Sequence, residues 1–265
     1  MDRNKTAVIT GASKGIGRAF AYRLASDGMN LVVVARSAPE LDLLAKDIRE
    51  RYSVEVTVRV ADLSNPHDVD ELESFLRQHP VDLLINNAGF GVVGDFACTA
   101  LNRHIEMLTV HVASPLRLVH AVLPEMIRRK QGAIINVCSV NAIIPGHVTY
   151  SATKSFLLMF SEALAGELEG TGIQVQALCP GFTHTAFHDT PDFREVRIQE
   201  RVPSFLWTTP EIVVDRSLAD LKKGKVVCIP TLRYRLIAGA YRNRLARLLV
   251  RAISRLMLKR RDGAR

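Results

Sequence analysis

Ala7-Val8-Ile9-Thr10-Gly11-Ala12-Ser13-Lys14-Gly15-Ile16-Gly17-Arg18-Ala19-Phe20-Ala21 joins a short apolar run to a helical stretch through a turn that holds three glycines. A strand, a glycine turn and a helix in this order form an anion site. Bare backbone approaches the ligand closely, while the helix N-terminus presents free N–H groups and a positive dipole. Glycines alone are weak evidence; their place directly after the first strand of a βαβ unit is what gives them weight.

Outward from this turn, apolar runs alternate with stretches of helical length. The later runs are Leu31 to Val34, Val54 to Val60, Leu83-Leu84-Ile85, Ile134 to Val137, Val175 to Leu178 and Val226 to Ile229. Most are continuous, as expected of strands covered on both faces. Val54-Glu55-Val56-Thr57-Val58-Arg59-Val60 alternates instead, which predicts a wetter strand near a sheet edge. Helices are predicted near 15–26, 38–51, 66–79, 100–130, 150–170 and 210–223. The pattern implies an α/β fold: a single-domain, Rossmann-type doubly wound parallel sheet of about seven strands with helices on both faces. Ligands in that architecture bind beyond the carboxyl ends of the strands.

The 265 residues suit one such domain, and neither an internal repeat nor a low-complexity linker divides them. Residues 1–232 are read as the domain and 233–265 as a basic amphipathic helical extension. Cys98, Cys138, Cys179 and Cys228 show no metal-ligand spacing and no disulfide framework. With no secretory signal and no run of about 18 uncharged apolar residues, the expected setting is cytoplasmic, with no transmembrane helix and no metal. The net charge of +8 is unevenly placed. Fourteen of the 35 Lys and Arg residues lie from Lys222 onward, against the single acid Asp262, and the remainder carries an acidic excess.

The second run ends Val34-Ala35-Arg36-Ser37. A site selective for NAD carries an acid here for the ribose 2′-hydroxyl, whereas an arginine suits the 2′-phosphate of NADP. Ala35 leaves the acid missing, and Arg36 with Lys14 supplies two cations. The expected cofactor is therefore NADP(H), ahead of NAD(H).

Tyr150-Ser151-Ala152-Thr153-Lys154 carries the chemistry. Residues four apart share a helix face, so phenol and ammonium point the same way. A phenol of pKa about 10 is too weak an acid for neutral pH unless a nearby positive charge lowers it. Ser139, at the end of the fifth run, is placed to hydrogen-bond a substrate oxygen. Five tyrosines and nine lysines give about 0.2 such pairs by chance. The spacing gains force from the strand before it and the phosphate turn at the other end.

In combination, Thr10 to Gly17, Asp62, Asn86-Asn87-Ala88-Gly89, Ser139, Tyr150 with Lys154, and Pro180-Gly181 with Thr185 resemble the short-chain dehydrogenase/reductase family in its compact single-domain branch, over residues 5 to about 230. The extended branch has a differently spaced turn and a longer chain. The resemblance implies that Gly11, Gly15, Ile16 and Gly17 cradle the pyrophosphate, while Ser13, Lys14 and Arg36 face the adenosine-ribose phosphate. It implies that Asp62 and Leu63 touch adenine, that Asn87, Ala88 and Gly89 pass the ribose, and that Pro180, Gly181, Thr183 and Thr185 flank the nicotinamide. Tyr150 would be the acid/base, Ser139 would steady the substrate oxygen, and Lys154 would hold the ribose and lower the phenol pKa. The family also implies a homodimer or homotetramer.

Two features depart from the family pattern. Where many members place an asparagine before the fifth strand, this chain has His111, which is read either as a packing residue or as a catalytic member of a proton relay. The interval from Ser139 to Tyr150 is about two residues shorter than usual, which predicts a tighter loop beside the substrate.

Phe182 to Thr209 loses regular period and carries Phe187, Phe193, Phe205, Leu206 and Trp207. These line an apolar substrate pocket, suited to an acyl, lipid-like or steroid-like ketone, or pack on the domain. In 233–261, Ile237, Tyr241, Leu245, Leu248, Leu249, Ala252 and Leu256 follow helical spacing opposite Arg244, Arg247, Arg251, Arg255 and Lys259. Peripheral contact with an anionic membrane and packing on the domain or a sister subunit both remain open. Nucleic acid is not expected, since stacking aromatics are scarce there. The leading expectation is an NADP(H)-dependent carbonyl or alcohol oxidoreductase; the alternative is a non-catalytic dinucleotide sensor or scaffold.

Overall fold

Alternation inside the continuous runs builds the core. In the computed structural model, which describes residues 5–189 and 198–242, Ala7 and Ile9 of β1 (Thr6–Thr10) face one side of the sheet and Val8 faces the other. Leu31 and Val33 are likewise separated from Val32 and Val34 in β2 (Asn30–Ala35). Each buried valine, leucine or isoleucine among these contributes about 1.5–3 kcal/mol. The remaining strands are β3 (Val56–Val60), β4 (Leu83–Asn86), β5 (Gly132–Val137), β6 (Ile173–Leu178) and β7 (Val227–Cys228). They form one parallel sheet in the order β3-β2-β1-β4-β5-β6-β7, with Val8 opposite both Val32 and Leu84. The strand order reverses between β1 and β4, and the crevice that a doubly wound sheet offers to ligands opens beyond their carboxyl ends.

The alternating run proves to be the edge strand. Only Val56 of β3 is buried, and the Arg59 guanidinium lies 3.9 Å over the Phe75 ring. Helices α1 (Gly15–Ser26), α2 (Ala38–Arg51) and α8 (Pro210–Leu221) cover one face, and α3 (Pro66–Gln78), α5 (Ser114–Arg129) and α6 (Val148–Glu167) the other. The long helix expected over 100–130 is α4 (Leu101–Leu108) and α5 joined by a π-helical turn, Thr109–Ala113. By length and composition the run Leu101–Arg129 could cross a membrane, but half of its most apolar stretch is buried within the fold. A short helix, α7 (Ile198–Arg201), precedes α8.

The boundary expected at 232/233 falls inside α9 (Leu232–Arg242), which packs on the domain through Tyr234, Ala238 and Tyr241. Arg233 donates to the Trp207 carbonyl at 3.0 Å and Arg235 to that of Ile229 at 2.7 Å. The described part of the amphipathic pattern thus packs intramolecularly. The rest, from Arg244 through Lys259, lies outside the described residues.

Candidate active site

The glycine turn is a backbone cradle held closed by the neighbouring strand. Gly11 and Gly15 adopt positive φ, 64° and 55°, which glycine reaches without strain. A side chain at Gly17 would run into the Gly11 carbonyl and sit 2.6 Å from the Asn87 amide. That amide donates to the carbonyls of Thr10 and Gly11 at 2.9 and 3.1 Å, while the backbone N–H groups of Asn87 and Ala88 donate to Thr10 Oγ1. The Asn87 side chain thus clamps the turn to β4. A Cβ on Gly15 would lie 3.0 Å from Thr185, so the segment after β6 closes over the same turn. Within that segment Thr183 is buried and donates to the Gly181 carbonyl. Gly181, which follows Pro180, leaves room for the Tyr234 ring of α9.

Both cations expected at the adenosine ribose are present and more than half exposed, and each has an acid beside it. Lys14 pairs with Glu40 at 2.6 Å, and Arg36 lies 4.0 Å from Asp62. Lys14 and Ser13 hold the Glu40 carboxyl below its usual range against the opposing effect of burial. Glu40 was not singled out from sequence. Its only signal is its place in the first turn of α2, where an acid usually serves the helix dipole. Burial pushes the Asp62 carboxyl up, but hydrogen bonds from Ser64 and the charge of Arg36 outweigh it and hold that carboxyl low. Leu63, expected against adenine, buries its side chain in the core with Val34, and its carbonyl accepts from Ser114.

Ser139, Tyr150 and Lys154 meet just beyond β5. Ser139 Oγ accepts from the Asn141 backbone at 3.1 Å and also hydrogen-bonds the Tyr150 phenol. Lys154 is buried, donates to the Val137 carbonyl at 2.8 Å, and lies 5.7 Å from the centre of the Tyr150 ring. Burial pushes the phenol up to about 12, with Ser139 pulling the other way, and burial lowers Lys154 to about 8. Within the protein itself the net shift of the phenol is upward, because desolvation outweighs the hydrogen bond from Ser139 that favours the phenolate. At neutral pH the phenol is a proton donor beside a charged ammonium.

His111 has a definite hydrogen-bonded place. It is completely buried in the π-helical turn, and its Nε2 accepts from the Phe90 backbone N–H at 3.0 Å. Because a backbone N–H can only donate, the ring proton sits on Nδ1, which donates to Thr153 Oγ1 at 3.1 Å. Thr153 in turn donates to the Tyr150 carbonyl at 2.9 Å. Gly89 leaves the space the ring needs, since a Cβ there would lie 2.9 Å from Nε2. Burial, reinforced by the charge of Lys154, drops the imidazole well below its usual pKa. Protonating Nε2 would orphan the Phe90 amide, so the neutral ring clasps the Phe90 backbone to Thr153 of α6.

The aromatic residues after Gly181 divide. Phe187 reaches the Tyr150 ring, with centroids 5.9 Å apart, whereas Trp207 is buried and stacks on His184 at 4.8 Å. Phe205 is exposed, Leu206 ends a short 3-10 turn, and Phe193 lies outside the described residues. Among the described residues no cluster of His, Cys, Asp and Glu has the makings of a metal site.

Residues 5–192 match the sequence profile described as short chain dehydrogenase. The chain belongs to that family. It is 34% identical over 224 residues to the Homo sapiens protein named inactive hydroxysteroid dehydrogenase-like protein 1, covering 83% of this chain and 66% of that one. To the very-long-chain 3-oxoacyl-CoA reductase of Anas platyrhynchos it is 34% identical over 233 residues, covering 84% and 72%. The fold superimposes on a short-chain dehydrogenase from Sphingobium yanoikuyae solved in complex with NADPH, with a TM-score of 0.81 and 35% identity over 90% of this chain and 94% of that one. As a short chain dehydrogenase, the chain brings its glycine turn and its Tyr150 cluster to the same end of the sheet.

Proposed function

We propose that this short chain dehydrogenase is an NADP(H)-dependent oxidoreductase that moves hydride between the nicotinamide and the carbonyl or secondary alcohol of an apolar substrate, with Tyr150 as acid/base. The observation that carries this reading is the meeting of Ser139, Tyr150 and Lys154 beyond β5, at the same sheet end as the glycine cradle. The cradle fits a dinucleotide: Gly17 keeps clear a volume that any Cβ would fill, and the first turn of α1 has no side-chain cap to occupy its N–H groups. Lys14 and Arg36 are reachable for a 2′-phosphate, and the similarity to a dehydrogenase solved with NADPH supports that choice. When bound, the cofactor supplies or takes the hydride.

The chain's own groups handle the oxygen and its proton. Ser139 Oγ steadies the substrate oxygen beside the phenol. Tyr150, held protonated by burial, gives its proton to that oxygen in the reducing direction. Lys154 provides the positive charge that stabilises the phenolate left behind. His111, through Thr153, fixes the backbone of Tyr150 and ties α6 to the Asn87–Phe90 segment. The protonated phenol is the form that reduction requires.

An apolar ketone is supported by Phe187 beside Tyr150 and by similarity to relatives named as very-long-chain 3-oxoacyl-CoA reductases. Exposed Leu101, Ile105, Leu116 and Met159 on α4 to α6 offer apolar surface to the expected homodimer or homotetramer. A second reading, a non-catalytic dinucleotide binder, draws on the word "inactive" in the human relative's name; the intact Ser139, Tyr150 and Lys154 favour the enzyme. The test is NADPH oxidation across ketones graded from short and polar to long and apolar. Turnover rising with apolar length is expected. NADPH binding without turnover of any ketone would favour the non-catalytic reading.

A further inference from the structure

Tyr234, in the first turn of α9, is buried against the chain that leaves β6. Gly181 does not use glycine's conformational freedom, since its φ lies outside the left-handed region. It is needed for space: a Cβ there would fall inside the Tyr234 ring, and the three atoms it would meet first all belong to that ring. The ring hydroxyl accepts from the Phe182 backbone N–H at 3.3 Å. The neighbouring Arg233 donates to the Trp207 carbonyl at 3.0 Å. The chain passing out at Phe182 and the chain returning at Trp207 are themselves paired: Thr208 N–H donates to the Phe182 carbonyl at 3.0 Å, and His184 N–H to the Thr208 carbonyl at 2.9 Å. Two consecutive residues of α9 therefore hold both.

The held segment bridges the two halves of the site. At its start the Pro180 carbonyl accepts from the Val140 N–H at 3.0 Å, beside Ser139. At Thr185 it closes on Gly15 of the glycine turn, and Phe187 just beyond reaches the Tyr150 ring. A dinucleotide laid from the cradle to the Tyr150 cluster has its nicotinamide half against this segment. Its adenosine half lies elsewhere, toward Lys14 and Arg36. Resting on the oxidoreductase reading above, we propose that Tyr234 is a positioning residue for the nicotinamide half: seated on Gly181, it holds segment 180–185 in place across the gap. Helix α9 is then part of the cofactor site rather than an extension beside it. A segment ordered before the cofactor arrives loses less freedom on binding, so Tyr234 contributes affinity for the nicotinamide half alone.

The test is calorimetry on the full chain with two probes, NADPH and 2′,5′-ADP, the second carrying the adenosine phosphates without the nicotinamide. Tyr234→Phe keeps the ring and removes the acceptor of the Phe182 N–H. It raises the Kd for NADPH about 3–10-fold, the value of one neutral hydrogen bond, and leaves that for 2′,5′-ADP within about two-fold. Gly181→Ala, which drives a methyl group into the ring's seat, gives the same selective loss. Thermal unfolding of each variant is followed alongside. Equal losses on both probes, or a lower Tm with both affinities unchanged, would mean that Tyr234 only supports the fold, and would overturn the proposal. Unchanged NADPH affinity in either variant would overturn it as well. A wild type with no affinity for NADPH would instead overturn the oxidoreductase reading, and this inference with it.

Discussion

Replacing His111 with leucine keeps most of the buried volume and removes both ring hydrogen bonds. The Phe90 N–H, which donates to Nε2 at 3.0 Å, is then buried without its acceptor, at a cost of about 1–3 kcal/mol. Loss of the bond to Thr153 adds about 0.5–1.5 kcal/mol, since Thr153 keeps its bond to the Tyr150 carbonyl. The expected destabilisation near pH 7.5 is therefore about 2–4 kcal/mol, or roughly 5–15 °C in Tm for a chain of this size. The pH dependence is the sharper signature. The folded protein holds the ring neutral well below its usual pKa, whereas the unfolded chain protonates it near 6.5. Below that pH the unfolded state binds the extra proton, so stability is lost as pH falls through the window under 6.5; above it the contribution is complete. One such group contributes a slope of up to about 1.4 kcal/mol per pH unit, and His111→Leu lacks it. Urea denaturation of both proteins at pH 7.5, 6.5 and 5.5 should show the stability gap narrowing by about 1 kcal/mol at the acid end. A gap that stays constant or widens there would refute the neutral clasp and restore an imidazolium at this position.

Charge reversal at Arg36 (Arg36→Asp) should lower kcat/KM for NADPH about 10–100-fold and shift preference toward NADH. Unchanged selectivity would remove Arg36 from the 2′-phosphate site. The kcat/KM for ketone reduction should hold steady up to pH about 8 and decline above it, because Lys154, lowered to about 8, loses its charge while Tyr150, raised to about 12, stays protonated. A profile flat well above that pH would show that the ammonium is not needed.

The fold was legible because the backbone pattern is written locally. The continuous runs around Val8 and Val32 became central strands, and the alternation over Val54–Val60 became the edge strand β3, since period reports how many faces are covered. Gly17 and the Tyr150–Lys154 spacing were legible for the same reason: a turn and a helix fix their own geometry. What lay hidden depends on side chains meeting across elements. Glu40 comes to Lys14 from α2, and Tyr234 to Gly181 from α9, and no spacing within the chain announces either pair. His111 was visible as a departure from the family, but its tautomer depends on the Phe90 amide, 21 residues away. Trp207 could have lined the substrate or packed on the domain; its burial between the rings of Phe182 and His184, with the indole N–H donating to the Val202 carbonyl, shows it packed.

The central claim is that the buried Tyr150 phenol delivers the proton beside a bound nicotinamide. It is tested most directly by measuring NADPH affinity and ketone turnover on the same preparation of Tyr150→Phe. The account predicts that the Kd for NADPH changes no more than about two-fold while turnover falls by a factor of about 10²–10⁴, the usual contribution of a positioned general acid. Turnover within a few-fold of the wild type would contradict it.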